Sequence, residues 1–202
     1  MSFTNHKQAT AFIAPGLLLA AYAAGYFPMA DSQDSQVRWY SPNPRAIIPL
    51  ESFRISRSLR QTLKKNKFEI RFNQAFERVM RQCANRSETW ISEDIIQSYL
   101  ELHRLRCAHS VESWFDDKLV GGLYGVAVGA AFFGESMFSR MTDSSKVALV
   151  HLVERLRDKG FELLDTQFST PHLQKLGAVE ISRQAYLRLL KRAIAKRRAF
   201  DS

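Results

Sequence analysis

The stretch Lys118 to Arg140, KLVGGLYGVAVGAAFFGESMFSR, limits the possible folds more than any other part of this chain. Its spacing predicts two strands, Leu119–Val128 and Ala130–Phe133, folded back on each other at Gly129. Gly121, Gly122 and Gly125 interrupt the apolar alternation, and a glycine inside a strand marks a bulge or a close approach by another chain or a ligand. The second strand runs into Gly134-Glu135-Ser136 directly after a pair of phenylalanines. An apolar floor ending in a few polar groups is the usual construction of a small-molecule pocket. The same residues also suit a buried hairpin in an ordinary core.

Around that hairpin the chain alternates helical and strand patterns. Pro15 to Ala24 reads as a short helix with proline in its first turn, ended by Gly25. Asp31 to Gln36 reads as a loop, Val37 to Tyr40 as a short strand, and the two prolines of Ser41 to Arg45 exclude regular structure there. Ser56 to Lys67 predicts a basic helix, Phe68 to Phe72 a half-buried strand, and Asn73 a cap for a helix through Gln82. A further helix spans Glu93 to Leu105, and His109 to Phe115 alternates as a strand, with Asp116-Asp117 turning into the hairpin. Ser145 to Lys159 carries a broad apolar face and stops at Gly160. Phe161 to Phe168 then reads as a strand that starts apolar and ends polar, followed by a short helix from Pro171 to Leu176, a strand Ala178 to Ile181, and a basic helix from Ser182 to Arg198. That order predicts an α+β fold around a mixed, mostly antiparallel sheet, with one parallel crossover through the Ser145 helix. A small N-terminal unit, residues 1–48, precedes a main domain, residues 49–202.

At 202 residues, 46% hydrophobic and 24% charged, the chain has the composition of a globular protein with a core. Its formal charge of +9 favours a polyanionic partner, with nucleic acid the first candidate. Cys83 and Cys107 show neither CxxC nor zinc-ligand spacing, and suit a reducing compartment. No metal and no cofactor is implied. Ala11 to Tyr26 imitates the apolar run of an export signal, yet it is too short to span a bilayer.

Asp165 and Gln167 lie two apart on one strand, so alternation predicts that they face the same way. A carboxylate beside an amide, where the strand leaves the core, is placed to orient or deprotonate a nucleophile; hydrogen bonds to a neighbouring loop are the alternative use. Glu135, beside an apolar floor, is placed to receive an ammonium group. Trp90 is placed to stack on a base, or simply to fill the core. Phosphate-binding glycine loops, a nucleophile elbow and a Cys-His pair are all missing.

Taken together, the segments GLLLAAYAAGYFP (16–28), WYSPNPRAII (39–48), FRISRSLR (53–60), ETWIS (88–92), AHSVESW (108–114), LVGGLYGVAVGAAFFGESMFSR (119–140), LLDTQF (163–168) and HLQKLGAVEISRQAYL (172–187) closely resemble the bacterial leucyl/phenylalanyl-tRNA–protein transferase family. The resemblance implies a small N-terminal domain and a larger domain similar to GNAT-type acetyltransferases. It implies transfer of leucine, phenylalanine or methionine from aminoacyl-tRNA to proteins beginning with arginine or lysine. The product is an N-degron, and the enzyme a cytoplasmic monomer that needs no membrane. By the same resemblance Asp165 and Gln167 occupy the catalytic strand. Leu123, Phe133, Leu152, Leu156 and Leu164, with Gly134, Glu135 and Ser136, match the site for the amino acid. Trp90, Tyr22, Tyr99 and Met29 match the surroundings of the terminal adenosine.

The chain departs from the family at Met29, where tryptophan is usual, and lacks the usual N-terminal stretch and aromatic C-terminal tail. Two other readings compete. An acetyl-CoA-dependent N-acetyltransferase needs a glycine-rich nest at a helix start, where Met141 to Ser145 offers an acid instead. A non-catalytic RNA-binding module is favoured by charge alone.

Overall fold

A computed structural model describes residues 12–30 and 36–201. The loop expected at Asp31 to Gln36 lies outside the described residues except for Gln36, as does Ala11 at the head of the apolar run.

The chain runs α1 (Pro15–Ala23), β1 (Phe27–Ala30), β2 (Val37–Tyr40), β3 (Arg45–Ile48), α2 (Arg57–Lys64), β4 (Glu69–Phe72), α3 (Phe76–Ala84), α4 (Glu93–Arg104), β5 (Ala108–Phe115), β6 (Lys118–Val128), β7 (Ala131–Ser139), α5 (Ser144–Asp158), β8 (Leu163–Gln167), α6 (Pro171–Lys175), β9 (Val179–Ile181) and α7 (Arg183–Ile194). Seven strands form one mixed sheet in the order β4-β5-β6-β7-β8-β3-β9, while β1 and β2 pair separately. Among the described residues only β7 and β8 run parallel, joined through α5 as the crossover requires. The fold is therefore α+β with helices on both faces of the sheet.

Strand alternation divides the core between those faces. Tyr124, Phe133 and Leu163 point to the side covered by α1, α3, α4 and α7. Their neighbours Leu123, Phe132 and Leu164 point to the side covered by α2 and α5. Both faces of the central strands are thus apolar, which is why this hairpin reads as a nearly continuous apolar run. Its glycines answer contacts inside the protein. A Cβ on Gly121 would lie 2.2 Å from the Ser144 hydroxyl at the start of α5, and one on Gly125 2.2 Å from the Phe133 carbonyl oxygen. Close approach is the reason for both, and the approaching groups are the protein's own.

Three local expectations change. The prolines before Arg45 end the irregular stretch early, and Arg45–Ile48 becomes an interior strand between β8 and β9, buried throughout. The main sheet therefore includes the last residues of the 1–48 segment. Asn73 does not cap α3: its backbone is left-handed at φ 59°, and it accepts the Ser110 N–H at 2.9 Å. The carboxylate of Glu112, reaching from β5, accepts the Ala75 N–H at 2.7 Å and meets the start of α3 instead. Finally, β7 does not stop at Phe133 but continues to Ser139.

Near the end of the chain, Phe200 is buried, its ring stacked 4.4 Å from His109 and 5.5 Å from Phe132. Among the described residues no helix is long and apolar enough to cross a membrane.

Candidate active site

The parallel pairing of β7 with β8 ends at Phe133 and Asp165. Beyond that point the strands part, and a cavity of about 300 Å³ occupies the wedge between them. The residues that follow the last pair, Gly134 to Met137 on β7, Thr166 and Gln167 on β8 and Phe168 just after it, all line it. Leu123, Leu149, Leu152 and Leu164 make an apolar floor, while Phe27, Met29 and Trp90 form another wall. The volume lies at the small end of ligand sites, and its mostly apolar lining with a few polar groups is typical of them.

Both strands carry a bulge at the site. Tyr124 pairs with Ser136 and Gly125 with Gly134, so Glu135 is an extra residue in β7. In β8, Gln167 pairs with Ala46 and Asp165 with Ile47, which leaves Thr166 as the extra residue. A bulge bends its strand and re-aims the side chains around it. Gln167 adds a left-handed backbone, φ 58°, which a non-glycine residue rarely adopts.

Behind the cavity, Asp165 is fully buried and its oxygens are fully engaged. Arg45 donates from Nε at 3.0 Å and from Nη2 at 2.6 Å, Tyr186 donates its hydroxyl at 2.7 Å, and the Gln167 backbone N–H donates at 2.9 Å. Arg45 is equally buried, its guanidinium between the rings of Phe27 and Tyr186 and bonded to the Gly25 carbonyl at 3.2 Å. This paired fork is the arrangement that keeps a buried charge tolerable. Asp165 does not line the cavity, whereas Gln167 does. The two residues therefore meet different surroundings, Asp165 the Arg45 and Tyr186 clamp and Gln167 the cavity.

Glu135 sits at the polar end of the hollow. Tyr22 donates to its Oε1 at 2.6 Å and Tyr99 to its Oε2 at 3.4 Å, and the two tyrosine hydroxyls also bond each other. Burial pushes the Glu135 carboxyl up to about 8, against the lowering effect of the Tyr22 hydrogen bond; the charge of Asp165 adds to the rise. Burial likewise holds both tyrosines well above their usual range.

Of the residues singled out in the sequence, Leu123, Gly134, Glu135, Ser136, Leu152, Leu164, Gln167, Trp90 and Met29 line the cavity. Phe133, Leu156, Tyr22 and Tyr99 stand a layer behind, fully buried and outside the lining. Tyr22 packs its ring 4.8 Å from Phe133 and reaches the site through its bonds to Glu135 and Tyr99.

This chain matches the profile described as leucyl/phenylalanyl-tRNA protein transferase over residues 47–191, and that of the N-terminal domain of the same proteins over residues 13–43. The chain belongs to the leucyl/phenylalanyl-tRNA–protein transferase family. Curated proteins bearing that name are similar along almost their whole length. The one from Paramagnetospirillum magneticum is 59% identical over 190 residues, 92% of this chain and 91% of the relative. That from Chlorobium limicola is 56% identical, covering 92% and 97%, and that from Gloeobacter violaceus 54% identical, covering 91% and 95%. Among solved structures, L-PGS from Bacillus licheniformis is similar at 13% identity and a TM-score of 0.46, covering 87% of this chain and 69% of that one.

Sequence reasoning missed several residues in and around this cavity. Arg45 follows two prolines and carries no periodic signal. Tyr186 sits within a basic helix, where its apolar neighbours read as core. Arg86, which donates from Nη2 to the Ser136 hydroxyl at 2.7 Å, lies in a loop at the cavity edge. His172 also lines the cavity, and burial lowers its pKa. What unites them is the wedge, formed by residues far apart in sequence.

Proposed function

We propose that this chain transfers leucine, phenylalanine or methionine from aminoacyl-tRNA to the α-amine of proteins that begin with arginine or lysine, creating an N-degron. The observation that carries this reading is the apolar hollow in the β7–β8 wedge, floored by leucines and bounded by Glu135 and Gln167. A leucine, phenylalanine or methionine side chain fills such a hollow, and the discrimination it affords is modest, about 1–3 kcal/mol per methylene. Sheets that part at a parallel pair also suit a GNAT-like catalytic domain, which we assign to the main sheet.

An acceptor α-amine has an ordinary pKa near 8, so roughly a tenth is neutral at pH 7 and only mild activation is needed. Glu135 titrates in the same range and faces the hollow, where its ionised form attracts an ammonium group and positions it. Asp165 holds Arg45 and the backbone of Gln167, and so acts as a positioning residue, with Gln167 the member of the pair that reaches substrate. Trp90 and Met29 flank the terminal adenosine, with Tyr22 and Tyr99 supporting the Glu135 carboxyl behind it. The basic helix α2 buries Leu59 and leaves Arg57, Arg60 and Lys64 exposed, a face that suits acceptor-stem phosphates without reading sequence. No cofactor enters this reaction, and a cytoplasmic monomer suffices for it.

The test is incubation with leucyl-, phenylalanyl- or methionyl-tRNA and an Arg-initiated peptide, with acetyl-CoA as the alternative donor. Aminoacyl transfer is expected. Acetylation of the peptide would point to an N-acetyltransferase, although Asp143, bound by Lys146 at 2.6 Å, puts an acid where a pyrophosphate would need to sit. Binding of tRNA without transfer would leave only an RNA-binding module.

A further inference from the structure

Among the described residues, four buried side-chain atoms have no hydrogen-bond partner: His109 Nε2, the Tyr124 hydroxyl, Thr166 Oγ1 and Gln167 Nε2. Three of these belong to residues that line the wedge cavity. A buried polar group without a partner calls for a specific reason, and an awaited substrate atom is one.

Thr166 and Gln167 are consecutive, and strand alternation would send their side chains to opposite faces. The cavity fills the gap between two parted strands and takes lining residues from both faces of the sheet, Leu123 and Tyr124 alike, so Thr166 and Gln167 both line it. Tyr124 belongs to β6, two strands away from β8 and so about 10 Å distant across the sheet. Neighbours in the chain can share one small target; Tyr124 cannot readily join them.

We propose that the Thr166 hydroxyl donates a hydrogen bond to the carbonyl oxygen of the aminoacyl ester as it becomes an oxyanion, with the Gln167 side-chain amide as the second donor. This inference rests on the transfer reaction proposed above. In that step the neutral amine nitrogen bonds to the ester carbon, and the carbonyl π pair moves onto oxygen. The oxygen pair then returns to carbon as the bond to the ribose oxygen breaks. The ribose oxygen leaves with that electron pair and gains one proton, and the nitrogen loses one. Donors aimed at the transient oxyanion stabilise it most when they are fixed beforehand in a site closed to water. Asp165 supplies that fixity. It bonds the Gln167 backbone N–H, and is itself clamped by Arg45 and Tyr186, so the turn that presents Thr166 and Gln167 is anchored from behind.

The experiment compares Thr166→Val and Thr166→Ser with the wild type, using leucyl-tRNA and an Arg-initiated peptide, and measures kcat, KM and thermal unfolding. Valine keeps the shape and removes the hydroxyl. The expected result is a kcat lowered on the order of 10²-fold, a KM changed by less than about twofold, and a Tm unchanged or raised. Serine should retain most of the wild-type kcat. Undiminished kcat in Thr166→Val would overturn the proposal. So would a fall in Tm parallel to the lost activity, which marks a structural hydroxyl, or a rise in KM alone, which marks ground-state binding. A wild-type protein that transfers nothing would overturn the underlying reading as well, and is distinguished by being seen before any variant is made.

Discussion

The two sides of β8 at its C-terminal end have opposite chemistry. Behind the strand, Asp165, Arg45 and Tyr186 form a closed polar group in which both carboxylate oxygens are bonded. In front, Thr166 and Gln167 line the cavity, and each keeps a buried polar atom with no partner. A protein satisfies buried polar groups wherever stability alone is at stake. On the reading proposed above, one strand serves two ends: saturation on one side fixes the backbone, and the unsatisfied groups on the other await substrate.

Substitutions on the two sides should therefore differ in kind. The largest effect is expected from Arg45→Met, which strips a buried carboxylate of its charge partner. A loss of about 3–5 kcal/mol in urea denaturation is expected. A loss under about 1 kcal/mol would break the comparison, because it would mean that the closed side is not holding the fold. Asp165→Ala leaves the converse buried charge, so the same physics makes it a folding variant, and its activity has meaning only beside its stability. Leu152→Ala, on the cavity floor, should cost about 2 kcal/mol, the low end for a buried leucine, because the side chain already borders a void. A larger loss would show the hollow to be packed more tightly than its geometry indicates.

Met29→Trp tests the open side. If Met29 flanks the terminal adenosine, an indole there should tighten leucyl-tRNA binding by about 1 kcal/mol, near the lower limit for stacking on one base. An unchanged KM for leucyl-tRNA would remove Met29 from that wall.

The last effect is a slope. The folded Glu135 carboxyl keeps its proton up to about 8, while an ordinary glutamate releases it near 4.5. Its contribution to stability is therefore complete below about 4.5 and is lost as pH rises through about 8. His109, lowered by burial to about 4 from 6.5, acts in the opposite sense at lower pH, which confines a clean reading to the interval above 6.5. Between pH 6.5 and 8 the wild type should lose Tm relative to Glu135→Gln. Parallel Tm profiles would show that the carboxyl is not held protonated.

The sequence made parts of this architecture readable because their signals are local. The apolar face of α5 and the Asp116-Asp117 turn both depend on residues within a few positions of one another. That the leucines of the cavity floor are buried was legible too, because a run of apolar residues must be buried somewhere, while the gathering of Leu123, Leu152 and Leu164 at one site was implied only by the family resemblance. β3 was not legible: four residues starting with arginine become an interior strand only because β8 and β9 lie on either side to receive them. The role of Glu112 at the start of α3 escaped for the same reason, since the donor it meets is 37 residues away.

By itself the sequence determined the order of elements from α2 onward, the apolar character of the central hairpin, and the family to which the chain belongs. Tertiary structure alone decided that Asp165 is clamped behind the strand while Thr166 and Gln167 meet the cavity, and that Glu135 is the bulged residue of β7. Periodicity assigns a side chain to a face as long as the strand stays regular. Where two strands part, and where an extra residue enters, pairing with distant chain segments sets the direction, and no local pattern records it.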